Sequence, residues 1–278
     1  MDCKYLIEKI SNSNIIEEPF PHIIINNFLS EKHFNILKND EQIHFEKLKN
    51  NDELYNKLLS KDWKIQRFPG CITKWSAYKE YLNNTKIFKS KSNNPVGNVG
   101  ITFRLSKYNN KDVEDLINFM NSESFHNILK NKFNVKDKTT IISAIQKNLT
   151  GYEISPHPDT RNKALTYLLN INKNEEIENL DCHTHLLKLK KEYEFIANFW
   201  DKNENIDRSW LPWNFCNTVK KINKNNTLVI FKPNSNPPSL HAIKLNYDHL
   251  KFQRTQIYGN LMFEDEKEYK KINYKDIL

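Results

Sequence analysis

The sequence predicts a mainly β core with a helical N-terminal part, an α+β chain whose second half folds as a sandwich or jelly roll. Three observations carry this. From Thr139 onward, short β-branched and aromatic runs alternate with polar turns in TTIISAIQKNL, YEIS, KALTYLLNI, LDCHTHLL, NTLVIFKP, LHAIKL and FQRTQIYGNLMF. That is the pattern of short antiparallel strands, not of alternating βαβ units. Before Thr139 the apolar residues recur mostly at helical spacing. Only 5 of 278 residues are glycine, and none falls in GxGxxG, GxxxxGKS or GxxxxGKT, which argues against a phosphate-cradling nucleotide fold.

The elements follow in order. Residues 1–138 form the supporting region and 139–278 the core, within one structural domain. PFPHIIINNFL reads as a short strand, and the Ser30 side chain is placed to cap a helix over EKHFNILKND. A longer helix is predicted at about Glu41–Ser60, with Phe45, Leu48, Tyr55, Leu58 and Leu59 at turn-like spacing. Two more are predicted at Lys111–Met120 and Ser124–Lys132. Within the core, Lys188–Val219 interrupts the strands. It carries Trp200, Trp210 and Trp213, is too long for a hairpin, and reads as a lid or binding loop.

Charge and composition narrow the partners. The chain has 42 Lys+Arg against 34 Asp+Glu, a net charge of +8, but nearly all the cations are evenly spread lysines. Base readout favours arginine and clustering, so the charge reads as solvated surface and nucleic acid is not the expected partner. No run of about 18 apolar residues exists, and the first residues lack the apolar region of a signal peptide. A cytoplasmic chain without a membrane partner is the expectation. Cys3, Cys71, Cys182 and Cys216 form no CxxC, which suggests neither a zinc ribbon nor a disulfide framework. Nothing in the sequence speaks to oligomeric state.

The sharpest local feature is His157-Pro158-Asp159, after the strand-like YEIS. In extended chain, residues i and i+2 project to the same side, so imidazole and carboxylate can converge on one metal ion. His44-Phe45-Glu46 has comparable chemistry but lies in a helical pattern, where the two side chains diverge by about 200°; it reads as solvated helix surface. His183-Thr184-His185, beside Cys182, lies in a plausible strand, but the following LLKLKKE has neither the acid nor the glycine of a cupin-type site, so it reads as a polar strand face. A third ligand should come from another strand of the core, and His241 is the candidate, beyond the apolar strand Leu228–Phe231 and a Pro/Asn/Ser turn. Alternation then puts Arg254, Gln256 and Tyr258 on one face of the next strand. Two histidines and one carboxylate leave open positions on a metal, as non-haem iron(II) oxygenases require, whereas a structural zinc site is closed.

With HxD on one strand, a distal His in LVIFKP…SLHAI and an Arg in RTQIYGNLMF, the chain resembles the iron(II)/2-oxoglutarate-dependent dioxygenases, specifically the branch similar to prolyl 4-hydroxylase catalytic domains. The resemblance covers about Thr139–Phe263, with PFPHIIINNFLSEKHF as a similar style of opening. It implies a double-stranded β-helix, iron(II) held by His157, Asp159 and His241, and 2-oxoglutarate whose distal carboxylate meets Arg254. It implies further that dioxygen is consumed, 2-oxoglutarate is decarboxylated to succinate and an unactivated C–H bond is hydroxylated. Lys163, Thr166 and Tyr167 become further co-substrate candidates, since one face of KALTYLLNI must look into the barrel. Gln146, Asn148, Trp210, Trp213 and Tyr258 become candidates for substrate contact. Many relatives place a Tyr where this chain has Asn148 and a Ser where it has Gln256. Relatives that halogenate lack the carboxylate that Asp159 supplies, so hydroxylation is the implied reaction. A small molecule or a peptide residue fits such a core as substrate, and a non-catalytic jelly-roll module binding a sugar or macromolecule is the competing class.

Overall fold

The structure is a computed structural model, which describes residues 2–68, 71–84 and 97–270. Its helices are α1 (Tyr5–Asn12), α2 (Glu31–Lys38), α3 (Asn51–Ser60), α4 (Trp75–Asn83), α5 (Lys111–Met120), α6 (Glu123–Lys132) and α7 (Phe195–Lys202). Its strands are β1 (His22–Ile25), β2 (Trp63–Ile65), β3 (Asn98–Val99), β4 (Thr102–Leu105), β5 (Thr139–Asn148), β6 (Glu153–His157), β7 (Lys163–Asn170), β8 (Thr184–Leu189), β9 (Cys216–Ile222), β10 (Leu228–Phe231), β11 (His241–Lys244) and β12 (Thr255–Phe263). No helix among the described residues is long and apolar enough to cross a membrane.

Two antiparallel sheets result. The larger runs β1-β10-β7-β12-β5-β4-β2 and the smaller β3-β6-β11-β8-β9. From β5 onward the chain crosses between them repeatedly: β5, β7, β10 and β12 lie in the larger sheet, β6, β8, β9 and β11 in the smaller. The alternation of each strand therefore decides which side chains enter the space between the sheets.

One face of the larger sheet is buried under the helices of the N-terminal half, where Leu6, Ile10, Leu116, Met120 and Phe125 join Ile145, Leu165, Tyr167, Leu169, Ile257 and Leu261 in one core. Each such side chain stabilises the fold by about 1.5–3 kcal/mol. The opposite face meets the smaller sheet through a modest apolar cluster of Phe20, Leu168, Leu186, Ile222, Val229 and Phe231. Much of the rest of that inner space is polar.

The Ser30 cap falls where the sequence puts it: its side chain accepts from the His33 N–H at 3.2 Å. The long helix expected over 41–60 is shorter, because only α3 is helical. Asp40 Oδ1 accepts the N–H groups of Gln42 and Ile43, and Leu48 N–H bonds the Leu250 carbonyl. The Asp40 contacts cap only a single turn at 40–44, the Leu48 bond draws the chain out of the helical ladder, and Asn50 then caps α3 through Glu53 N–H at 2.9 Å. His44 is correspondingly not solvated surface: it is buried, and burial holds its pKa well below the ordinary value.

The expected insert also has different bounds. Lys188 belongs to β8 and Val219 to β9, which pair antiparallel, so the inserted chain is 190–215. Its α7 brings Ile196 and Trp200 onto the outer face of the smaller sheet, against Leu187, Leu189, Leu240 and Ala242.

Candidate metal centre

β6 and β11 are antiparallel neighbours in which His157 and His241 are direct register partners. Asp159 lies two residues past the end of β6. The ring centroids of the two histidines are 4.4 Å apart. His157 Nδ1 lies 2.8 Å from the Ser155 carbonyl oxygen and His241 Nδ1 2.9 Å from that of Ser239. A carbonyl only accepts, so each Nδ1 carries the proton and each Nε2 presents a lone pair. The two Nε2 atoms lie 3.9 Å from Oδ1 and Oδ2 of Asp159 respectively.

These three donors are the group able to hold a metal ion among the described residues, all their ligand atoms lying within 4.8 Å of one another. Three donors on one face of a metal, each about 2.0–2.2 Å from it, lie about 3 Å apart, so these donors would close by up to about 2 Å around an ion. The protonation states suit it. Burial, reinforced by His241, lowers the His157 pKa to about 3, and burial lowers that of His241. Burial pushes the Asp159 carboxyl up, but Lys163 and the two imidazoles outweigh it and hold it well below the usual carboxylate range. Lys163 is driven the opposite way, burial lowering it and Asp159 raising it further. At neutral pH the cluster is one carboxylate and two neutral imidazoles, with an ammonium alongside.

Lys163 and Thr166, expected from sequence as co-substrate contacts, hold the carboxylate of Asp159. Lys163 Nζ donates to Asp159 Oδ1 at 2.7 Å and Thr166 Oγ1 to Oδ2 at 2.5 Å. Lys163 also donates to the Tyr258 hydroxyl at 2.9 Å, and that hydroxyl donates to Asn260 Oδ1. Arg254 is buried, with Nε donating to Cys182 O, Nη1 to Asn148 Oδ1 and Nη2 to Thr184 Oγ1. Thr184 pairs with Ile243 while Leu186 pairs with His241, making Thr184 a diagonal neighbour of His241 on the same face. Gln146 is buried and pairs with Gln256 across β5 and β12.

Other predicted residues go elsewhere. Tyr167 follows Thr166 and so faces the opposite side of the sheet, where it lies in the helix-covered core and its hydroxyl pairs with that of Ser143. Trp213 packs outside the smaller sheet, donating to Glu153 Oε1 at 2.8 Å with its ring edge-on to His185. Trp210 is half-buried in the same insert, and its neighbour Leu211 donates its N–H to the Pro156 carbonyl at 2.7 Å. His185 bonds Thr218 across the β8–β9 pair, and neither it nor His183 joins the metal-competent group.

Two arginines lie outside the set expected from sequence. Arg208, from the insert, donates to the Asp159 backbone carbonyl at 2.7 Å and to Pro233 O and Asn234 Oδ1. Arg104, in β4, faces the inter-sheet space. Their scarcity was the available signal: five arginines in a lysine-rich chain, of which one lies in the strand pattern TFRL.

No protein-family model matches the chain, and no curated protein matches it in sequence. Among solved structures it is similar to a prolyl-4-hydroxylase of Pseudomonas putida, with TM-score 0.44, 7% identity, and coverage of 94% of this chain and 98% of that one. A prolyl hydroxylase of Trichoplax adhaerens, solved with a hypoxia inducible factor oxygen degradation domain peptide fragment, gives TM-score 0.42 and 12% identity over 94% of this chain and 89% of that one. An oxidoreductase of the 2OG-Fe(II) oxygenase family from Burkholderia pseudomallei gives 0.37 and 10%, over 82% and 98%.

Proposed function

We propose that the chain is an iron(II)- and 2-oxoglutarate-dependent dioxygenase, built on a double-stranded β-helix, that hydroxylates a C–H bond of a small molecule or peptide residue. One observation carries the reading: two buried neutral imidazoles, tautomer-fixed by carbonyls, converge with one buried carboxylate. Hard and borderline donors in a two-histidine, one-carboxylate set suit iron(II) and leave coordination positions for a bidentate co-substrate and dioxygen. The crossing of consecutive strands between two sheets supports the jelly-roll core.

Bound iron(II) and 2-oxoglutarate would supply dioxygen activation coupled to decarboxylation to succinate. The chain's own part is positioning and exclusion of water. Lys163 and Thr166 fix both oxygens of Asp159, and Arg208 fixes its backbone. Phe231, whose ring centroid is 4.6 Å from that of His241, walls the site with Leu168 and Leu186. Arg254 has N–H groups beyond those spent on Cys182, Asn148 and Thr184, and the reading assigns them to the distal carboxylate of the co-substrate.

The test is to load the purified protein with iron(II) and 2-oxoglutarate without oxygen, admit air and measure succinate. The expected result is formation by the unaltered chain, its loss in His157→Ala, and a raised 2-oxoglutarate requirement in Arg254→Lys. Failure of the unaltered chain to bind either metal or 2-oxoglutarate overturns the reading.

A further inference from the structure

Two of the sealed polar atoms without a hydrogen-bond partner, Arg104 Nε and Gln256 Oε1, lie in one row of the larger sheet, and a third, Arg208 Nε, belongs to the arginine that holds the Asp159 carbonyl. Arg104 pairs with Gln146, and Gln146 with Gln256, across β4, β5 and β12. The row faces inward: Thr102, two residues before Arg104 and therefore on its face, receives the Asn148 side chain that also bonds Arg254. Arg104 Nε is sealed from solvent without a hydrogen-bond partner, and so is Gln256 Oε1. Among the described residues no carboxylate pairs with the Arg104 guanidinium. Its contact is the face of the Tyr258 ring, 5.3 Å from the guanidinium carbon to the centroid. The hydroxyl of that ring receives Lys163, which holds Asp159. A chain of direct contacts thus runs from the metal-competent triad to a guanidinium that the protein leaves without an anion.

A sealed, unpartnered guanidinium N–H is costly unless something fills it. The planar fork matches a carboxylate in two-point geometry, and the Tyr258 ring attracts the guanidinium to its face at 5.3 Å. We propose that Arg104 is a carboxylate-binding residue of this site, additional to Arg254, so that a ligand entering between the sheets lays a carboxylate against it above Tyr258. The inference rests on the proposed oxygenase reading. Two sources share the chemistry: the distal end of 2-oxoglutarate, or an acidic group on the molecule to be oxidised.

The experiment uses the full chain loaded with zinc(II), which does not turn over, and calorimetric titration. The probes are 2-oxoglutarate, its analogue 2-oxopentanoate, which lacks the distal carboxylate, and acetate and benzoate beside their amides. The variants are Arg104→Gln and Arg104→Lys, with circular dichroism confirming the fold. If Arg104 takes the co-substrate end, Arg104→Gln weakens 2-oxoglutarate by about tenfold or more and leaves 2-oxopentanoate unchanged. If it takes the substrate end, 2-oxoglutarate affinity holds, while the 2-oxoglutarate-loaded unaltered chain prefers acetate or benzoate to the amide and Arg104→Gln abolishes that preference. Arg104→Lys keeps part of either effect. Unchanged binding of every probe in Arg104→Gln, with 2-oxoglutarate still bound, overturns the assignment of Arg104 alone. Absence of 2-oxoglutarate binding in the unaltered chain overturns the oxygenase reading instead.

Discussion

His157 and His241 are register partners across β6 and β11, and each turns its Nδ1 to the carbonyl two residues before it in the chain. The same local device on neighbouring strands aims both Nε2 lone pairs at one point beside Asp159. The backbone, not a titratable partner, thus sets the tautomers.

The triad should bind a divalent cation before any co-substrate is present. Cobalt(II) titration followed by absorption should show one site per chain, and His157→Ala or His241→Ala should weaken it by more than the roughly 10–100-fold that loss of an outer partner costs. An unaltered cobalt(II) isotherm in both variants would refute the assignment of the ligands.

Lys163 and the metal both neutralise Asp159. Lys163→Met leaves a buried carboxylate without its cation, and the metal-free protein should lose about 3 kcal/mol of stability. Metal supplies charge at the same carboxylate, so loading should raise the Tm of the variant more than that of the unaltered chain. Equal increments would show that Lys163 and the metal do not share Asp159.

Arg208 acts on the site through the Asp159 backbone carbonyl. Arg208→Met should weaken cobalt(II) binding by about 10–100-fold, and Arg208→Lys should recover little of it, because one ammonium cannot span Asp159 O, Pro233 O and Asn234 Oδ1. Full affinity in a folded Arg208→Met would reduce the insert to a cover for the smaller sheet.

Lys147 is fully buried on the other face of β5, between the rings of Phe45 and Trp63, with Nζ 2.6 Å from Thr255 Oγ1. Burial holds its pKa well below the ordinary value. Unfolded, it keeps its proton to about pH 10.4, so between the two pKa values the unfolded chain binds the extra proton and stability rises with pH. Lys147→Met should remove that slope and stabilise the protein at neutral pH by about 1–3 kcal/mol. Denaturant titrations at several pH values read both effects.

Gly259 is required by Tyr167. A Cβ on Gly259 would lie 2.0 Å from Tyr167 Cζ, so Gly259→Ala should cost about 1–3 kcal/mol by overpacking. Tyr167→Phe should cost about 1 kcal/mol for the bond to Ser143 and leave 2-oxoglutarate affinity unchanged. Weaker co-substrate binding in Tyr167→Phe would return that tyrosine to the site.

Much of this was legible in order of residues. Period-two runs marked the core strands, Ser30 marked a cap, and HxD in extended chain marked two members of the metal-competent group, because strand and cap geometry are local. The long helix over 41–60 was misread because its apolar spacing is helical, while the Leu250 carbonyl takes the Leu48 N–H that a helix would give to the His44 carbonyl. Tyr167 was misread because periodicity says that Thr166 and Tyr167 face opposite ways without saying which way is inward.

The sequence by itself determined the donor types, their strand context and the scarcity of arginine. Only the tertiary structure decided that His241 lies opposite His157, that Arg208 crosses from the insert to Asp159, and that Arg104 lies over the Tyr258 ring. Those are pairings between strands and loops far apart in the chain. They depend on sheet order and on which face is inward, neither of which a local pattern encodes.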